Sequence, residues 1–275
     1  MPEGHTVHRS ANDFNRLFSG QALMVSSPQG RFNQGAALVS GQVLVQATAV
    51  GKQLFLRFAN AQTIRIHLGI YGKWQWREFE SINQGSHQIQ ASDIPVVGEV
   101  RARFANNLAL ADLRGPTVCE VLSPAEVDAV LKRLGPDPIN PDPRGIEQQR
   151  FVQKVLGSKS TIGQLLMNQA VVSGIGNVYR AELLFRAGIN PYTPANQLTV
   201  EQIEGLWQDA VKLLKVGVKT GFMITRDELT KKRPTKAERN FVYKREGLPC
   251  RICSQEISLA IMATRKLYWC ASCQN

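Results

Sequence analysis

The chain lacks any long hydrophobic run. One of its two longest uncharged stretches, residues 32–51, is interrupted by Asn33, Gln34, Gln42 and Gln46, which rules it out as a membrane span. No apolar segment follows the first charged residues, so no secretory signal is expected and the cytoplasm is the expected compartment. Internal repeats and low-complexity tracts are also missing. With 43% hydrophobic and 20% charged residues, that excludes a disordered or fibrous chain. Acidic residues are scarce beside basic ones: 22 Asp and Glu against 33 Lys and Arg leave a net charge of +11. Only five cysteines occur, too few for a disulfide scaffold.

The 275 residues give an expectation of two domains. The positive charge is uneven, since the last 61 residues hold 13 basic groups and 5 acidic ones. Such concentration reads either as a face for a polyanion, nucleic acid first, or as solvated surface. Val7, Ala11, Phe14 and Phe18 recur at helical spacing. The period then becomes two at Leu54, Leu56 and Phe58, at Ile64, Ile66 and Leu68, and at Val100, Ala102 and Phe104, the pattern of half-buried antiparallel strands. A capping box, Ser123-Pro124-Ala125-Glu126, then opens a helix. Four prolines in residues 135–145 mark a hinge. Further helices are expected around Phe151 and Val155, from Ile162 to Gln169, from Asn177, and from Thr199 to a stop at Gly217. The fold class is therefore α+β. The expected division is a β-sandwich domain with a leading helix over 1–118, a linker and hinge over 119–145, a helical domain over 146–225, and a basic connection with a small module over 226–275.

Three motifs carry chemistry. Cys250-x2-Cys253-x16-Cys270-x2-Cys273 offers four thiolates for one structural Zn²⁺, whose binding would fold a module too small for its own core. Cys119 stands outside it as a small buried residue. Second, Val172-Ser173-Gly174-Ile175-Gly176-Asn177 is a glycine turn opening a helix, either a phosphate cradle or a plain helix–helix turn. Third, removal of Met1 would leave Pro2 as a free secondary amine with a pKa near 8, able to attack a sugar aldehyde carbon. His5, His8, His67 and His87 make no ligand set.

Together, Met1-Pro2-Glu3-Gly4, the turn ending in Gly176-Asn177, Leu134-Gly135-Pro136-Asp137 and the closing Tyr268-Trp269-Cys270-x-x-Cys273-Gln274 resemble the Fpg/Nei DNA glycosylases along the whole chain. The Pro-Glu-Gly opening is most similar to the endonuclease VIII (Nei) branch, in its actinobacterial type. The resemblance implies a helix–two-turn–helix domain, a zinc finger, and a bifunctional glycosylase and abasic-site lyase of base excision repair. Its implied partner is double-stranded DNA carrying oxidised bases, pyrimidines by branch, or abasic sites. It also implies a bacterial, nucleoid-associated protein, for which a monomer is the simpler expectation.

Carried over residue by residue, Pro2 is the nucleophile, Glu3 the general acid/base and Lys52 the strand lysine at the lesion phosphate. Asn177 with Gly176 holds a backbone phosphate, Arg265 clamps phosphates from the zinc finger, and Ile70 and Tyr71 wedge into the gap left by the flipped base. Glu182 approaches the nucleophile in support, or is a surface carboxylate. Gly69, Thr6 and Asn168 depart from the family pattern, where polar, glutamate and aspartate side chains are usual. The charged run 226–245 either replaces the lesion-capping loop of purine-specific relatives or crosses the DNA backbone, the second being favoured. The alternatives are oxidised-purine specificity and an inactive zinc-finger module that only binds damaged DNA.

Overall fold

The computed structural model describes residues 2–79 and 93–275. The chain forms two compact units: Pro2 with Val7–Lys132, and Glu3–Thr6 with Arg133–Asn275. Among the described residues no helix is long and apolar enough to cross a membrane.

The first unit holds α1 (Gly4–Phe18, whose first turn groups with the second unit), β1 (Met24–Ser26), α2 (Asn33–Val39), β2 (Leu44–Val50), β3 (Gln53–Phe58), β4 (Thr63–His67), β5 (Lys73–Glu78), β6 (Ala102–Ala105), β7 (Ala109–Arg114), β8 (Val118–Leu122) and α3 (Pro124–Leu131). The strands make two antiparallel four-stranded sheets, ordered β1-β6-β7-β5 and β2-β3-β4-β8. Alternation decides which side chains go inward: Leu54, Leu56 and Phe58 on β3 and Ile64 and Ile66 on β4 are all buried. The α1 stripe of Val7, Ala11, Phe14 and Phe18 is buried in the same core. Phe14 meets Trp74, Trp76 and Phe104 edge-on at 5.0–5.4 Å between ring centroids. A buried charge pair spans β6 and β7: Arg103 forks onto both oxygens of Asp112 at 2.8 and 2.9 Å.

Within the stretch 119–145, β8 pairs with β4 as far as Leu122, and α3 follows behind the Ser123–Glu126 capping box. The second unit holds α4 (Ile146–Leu156), α5 (Ile162–Leu165), α6 (Asn177–Arg186), α7 (Val200–Thr220), β9 (Ser258–Met262) and β10 (Arg265–Trp269). Its helical core centres on Phe151, Leu166, Leu183, Leu206 and Trp207, and a smaller cluster of Phe185, Val242, Ile257 and Tyr268 lies against the cysteine module. Two expected helix ends shift. The helix expected from Ile162 to Gln169 ends at Leu165. The last long helix runs through Gly217 to Thr220 and is capped by Gly221 in the left-handed region. Gly217 is instead a contact point, where an added Cβ would lie 2.5 Å from the Tyr179 hydroxyl.

Candidate active site and metal centre

Glu3 precedes α1 in sequence, but its carboxylate caps a different helix. Oε2 accepts the Gly176 N–H and Oε1 the Val178 N–H, both at 2.8 Å, and the Tyr179 N–H reaches Oε2 at 3.4 Å. The adjoining Gly4 N–H donates to the Gly174 carbonyl at 2.8 Å. The N-cap of α6 is Gly176, which has no side chain to satisfy the first amides, and a buried carboxylate from 173 residues away does so. Gly176 is required by this approach, since a Cβ there would sit 2.5 Å from Glu3 Cδ. The turn amides expected to cradle a phosphate therefore hold an anion of the chain itself. Behind them, burial first and Glu3 second push the Tyr179 phenol well above its ordinary range.

Asn177 opens α6 with its side chain turned to the hairpin β9–β10. Its Nδ2 donates to the Lys266 carbonyl at 2.8 Å, and its Oδ1 accepts from Arg180 Nη2 at 2.5 Å. Arg180 is fully buried and also donates to the carbonyls of Met262 and Lys266, at 3.3 and 3.2 Å. Burial pulls its guanidinium down to about 10. The Asn177 side chain thus grips the strand carrying Arg265, whose own side chain is exposed. Sequence reasoning missed Arg180, although its position one helical turn after Asn177 was available as a signal.

Glu182 is not a surface carboxylate. It is fully buried, with Oε1 accepting the N–H groups of Val242 and Tyr243 at 2.8 Å. Its Oε2 accepts the Phe241 N–H at 2.7 Å and the Thr225 hydroxyl at 2.5 Å. Two bonds at each oxygen use the full capacity of a carboxylate. Gln169, also unflagged by sequence, braces the glycine turn by accepting the Gly174 N–H at 3.0 Å and donating to the Ile175 carbonyl at 2.9 Å. Nearby, the Asn168 carboxamide oxygen accepts the Ala170 N–H, and Thr6 contacts the His5 ring.

The Sγ atoms of Cys250, Cys253, Cys270 and Cys273 lie within 4.8 Å of one another. The pairs Cys250–Cys273 and Cys253–Cys270 are 3.9 and 3.4 Å apart. Zn–S bonds of about 2.3 Å in a tetrahedron place sulfurs about 3.8 Å apart, so the cluster fits one such ion. Among the described residues this is the only cluster of potential metal ligands. Cys119 is half-buried, and burial pushes its thiol up to about 12.

In the first unit, Lys52 sits at the tip of the β2–β3 hairpin, and its carbonyl lies 3.0 Å from His67 Nδ1 on β4. Burial, with Lys52 and Arg65 close by, lowers the His67 imidazole below its usual value. After β4 comes a tight turn closed by Gly72 N–H to the Leu68 carbonyl at 2.9 Å. It exposes Ile70 and, at 83%, Tyr71. Gly69 holds φ +66° there, and an added Cβ would fall 1.8 Å from Thr117 Oγ1, so the polar side chain usual at this position has no room. Pro2 is half-buried; Met1 and His87 lie outside the described residues.

Comparison with known proteins agrees along the chain. Residues 1–119 match the formamidopyrimidine-DNA glycosylase N-terminal domain and residues 134–228 the formamidopyrimidine-DNA glycosylase H2TH domain. Endonuclease 8 1 of Mycobacterium tuberculosis is 40% identical over the full length of both chains, and endonuclease 8 of Escherichia coli 25% identical, again over the full length of both. Among solved structures, Lactococcus lactis Fpg in complex with DNA containing N7-benzyl-Fapy-dG superposes with a TM-score of 0.79 at 23% identity, covering 99% of each chain. The chain belongs to the Fpg/Nei family of DNA glycosylases and abasic-site lyases.

Proposed function

We propose that this protein excises oxidised bases, preferentially pyrimidines, from double-stranded DNA and cleaves the resulting abasic site by β,δ-elimination through a covalent intermediate on Pro2. The observation that carries the reading is the buried clamp on Glu3, which fixes the residue after Pro2 to the opening of α6. A nucleophile held this way loses less freedom on reaching its target than one on a loose end.

The Pro2 nitrogen attacks C1′ of the damaged nucleotide and the base departs. Glu3 serves as the acid/base group for opening of the sugar ring and the accompanying proton transfers. A secondary amine yields a cationic iminium that draws electrons from C1′ and acidifies the C2′ hydrogen. Loss of that proton expels the 3′ phosphate, a second elimination expels the 5′ phosphate, and hydrolysis returns the free amine. Lys52 contributes positive charge at the lesion phosphate. Ile70 and Tyr71, exposed on their turn, fill the space vacated by the flipped nucleotide. Arg265 grips flanking phosphates, and Asn177 serves that grip by holding the hairpin that bears it, at the turn opened by Gly176. Zn²⁺ at the four cysteines supplies folding free energy and takes no chemical step. Pyrimidine preference is supported by the 40% identity to an endonuclease 8.

Borohydride trapping on duplex DNA with one abasic site, followed by peptide mapping, tests the mechanism. An adduct at Pro2 is expected, and Pro2→Gly should impair its formation more than DNA affinity. An adduct mapped to a lysine, or none from zinc-loaded protein lacking Met1, overturns the mechanism. A panel of oxidised pyrimidines and purines tests the preference.

A further inference from the structure

Between α7 and the cysteine module, residues 226–245 contain eight Lys and Arg side chains; Lys244 stands alone at an exposed turn, and the structure sorts the other seven into two groups. One group builds the segment. Arg226 pairs with Glu228 and donates to the Glu238 carbonyl at 3.1 Å. Arg239 lies 4.0 Å over the Phe222 ring and donates to the Pro234 carbonyl at 3.2 Å. Arg245 donates to the carbonyls of Phe241 and Pro249 at 2.6 and 2.8 Å. The segment's acids are engaged as well: Asp227 with Lys212 and Arg186, Glu228 with Arg226, and Glu238 with the amide and hydroxyl of Thr235.

The other group is Lys231, Lys232, Arg233 and Lys236. All four are exposed, and among the described residues none of them forms an ion pair. Pro234, in their midst, is buried and has its carbonyl held by Arg239. The stretch is thus pinned from beneath while four like charges crowd six residues of surface. Their mutual repulsion costs stability unless an external anion relieves it. Residues 229–237 contain no aromatic side chain to stack on a base and no acid to accept from one. Phosphate is the group these side chains fit, and a strand of B-DNA presents one about every 3.4 Å along its axis.

We propose that Lys231, Lys232, Arg233 and Lys236 form a sequence-independent contact to nucleic-acid phosphates, adding affinity without reading the damaged base. The inference rests on the DNA-glycosylase reading above. Its test is the salt dependence of binding by the zinc-loaded full chain to an undamaged duplex, and to the same duplex bearing one abasic-site analogue. The variant combines Lys231→Gln, Lys232→Gln, Arg233→Gln and Lys236→Gln. At about 0.9 per phosphate contact, the slope of log K against log salt should become shallower by at least about 1, with equal loss of affinity on both duplexes. Lys231→Arg, Lys232→Arg and Lys236→Arg together should retain the slope. A slope changed by less than about 1, or a loss confined to the damaged duplex, overturns the phosphate contact. Failure of the unsubstituted protein to bind either duplex overturns the glycosylase reading along with it. Should the quadruple variant melt early, the Lys231→Gln, Lys232→Gln pair is judged on the same slope.

Discussion

The carboxylate of Glu182 accepts the backbone N–H of Val242 at 2.8 Å, and its remaining acceptor positions go to Phe241, Tyr243 and Thr225. Glu182→Gln swaps one oxygen for an amide that donates, facing two donors that lose their acceptor. Each buried unsatisfied group costs about 1–3 kcal/mol, so a loss of about 3 kcal/mol is expected. Thermal melting and competition with a zinc chelator should both register it. A variant matching the parent in both measurements would show that the cradle contributes nothing.

Removing the metal should act locally. Chelation, or Cys250→Ser, is expected to loosen the module from Phe241 onward and to weaken DNA binding. The separate core around Phe14, Phe58 and Phe104 should keep its protection. Hydrogen exchange resolves the two regions. Uniform deprotection of the chain would contradict a local role for the ion.

Gly69→Ala tests the turn bearing Ile70 and Tyr71. The left-handed backbone costs a non-glycine residue about 1–2 kcal/mol, and the contact with Thr117 Oγ1 adds to it. Melting should fall by about 2–4 °C per kcal/mol lost. Because the strain falls inside the proposed wedge, activity on duplex lesions should drop more than trapping on a single-stranded abasic site.

The β9–β10 hairpin turns through Ala263 at φ 50° and Thr264 at φ 59°, positions that favour asparagine and glycine. A β-branched residue in this region stores about 1–3 kcal/mol of strain. Ala263→Asn with Thr264→Gly is therefore expected to raise the melting temperature of the zinc-loaded protein. Unchanged or lower melting would mean that the present side chains make compensating contacts.

Local patterns were legible in the sequence and distant pairings were not. The spacing of Val7, Ala11, Phe14 and Phe18 marks the buried face of α1, and alternation along β3 and β4 marks the inner surface of a sheet. Both periods belong to the backbone and need no partner to be read. The cysteine spacing was equally legible, because a tetrahedral ion fixes ligand geometry. Glu182 was not, since a lone acid on a helix is by default a solvated one and its partners lie about 60 residues onward. Asn177 and Arg180 likewise take their meaning from carbonyls of a hairpin more than 80 residues away. The helix α2 carries no clear periodic stripe and escaped notice.

The bond between Glu3 and Gly176 also bears on folding order. Closing a loop of 173 residues costs about 4.6 kcal/mol of chain entropy, scaled as three-halves RT ln n, and contacts of such separation form late. During synthesis the reactive end proposed at Pro2 emerges first, yet its neighbour cannot dock until the start of α6 has left the ribosome. A nascent chain would thus carry its amine unharnessed, and the power to cut a strand would arrive only with the module that grips one.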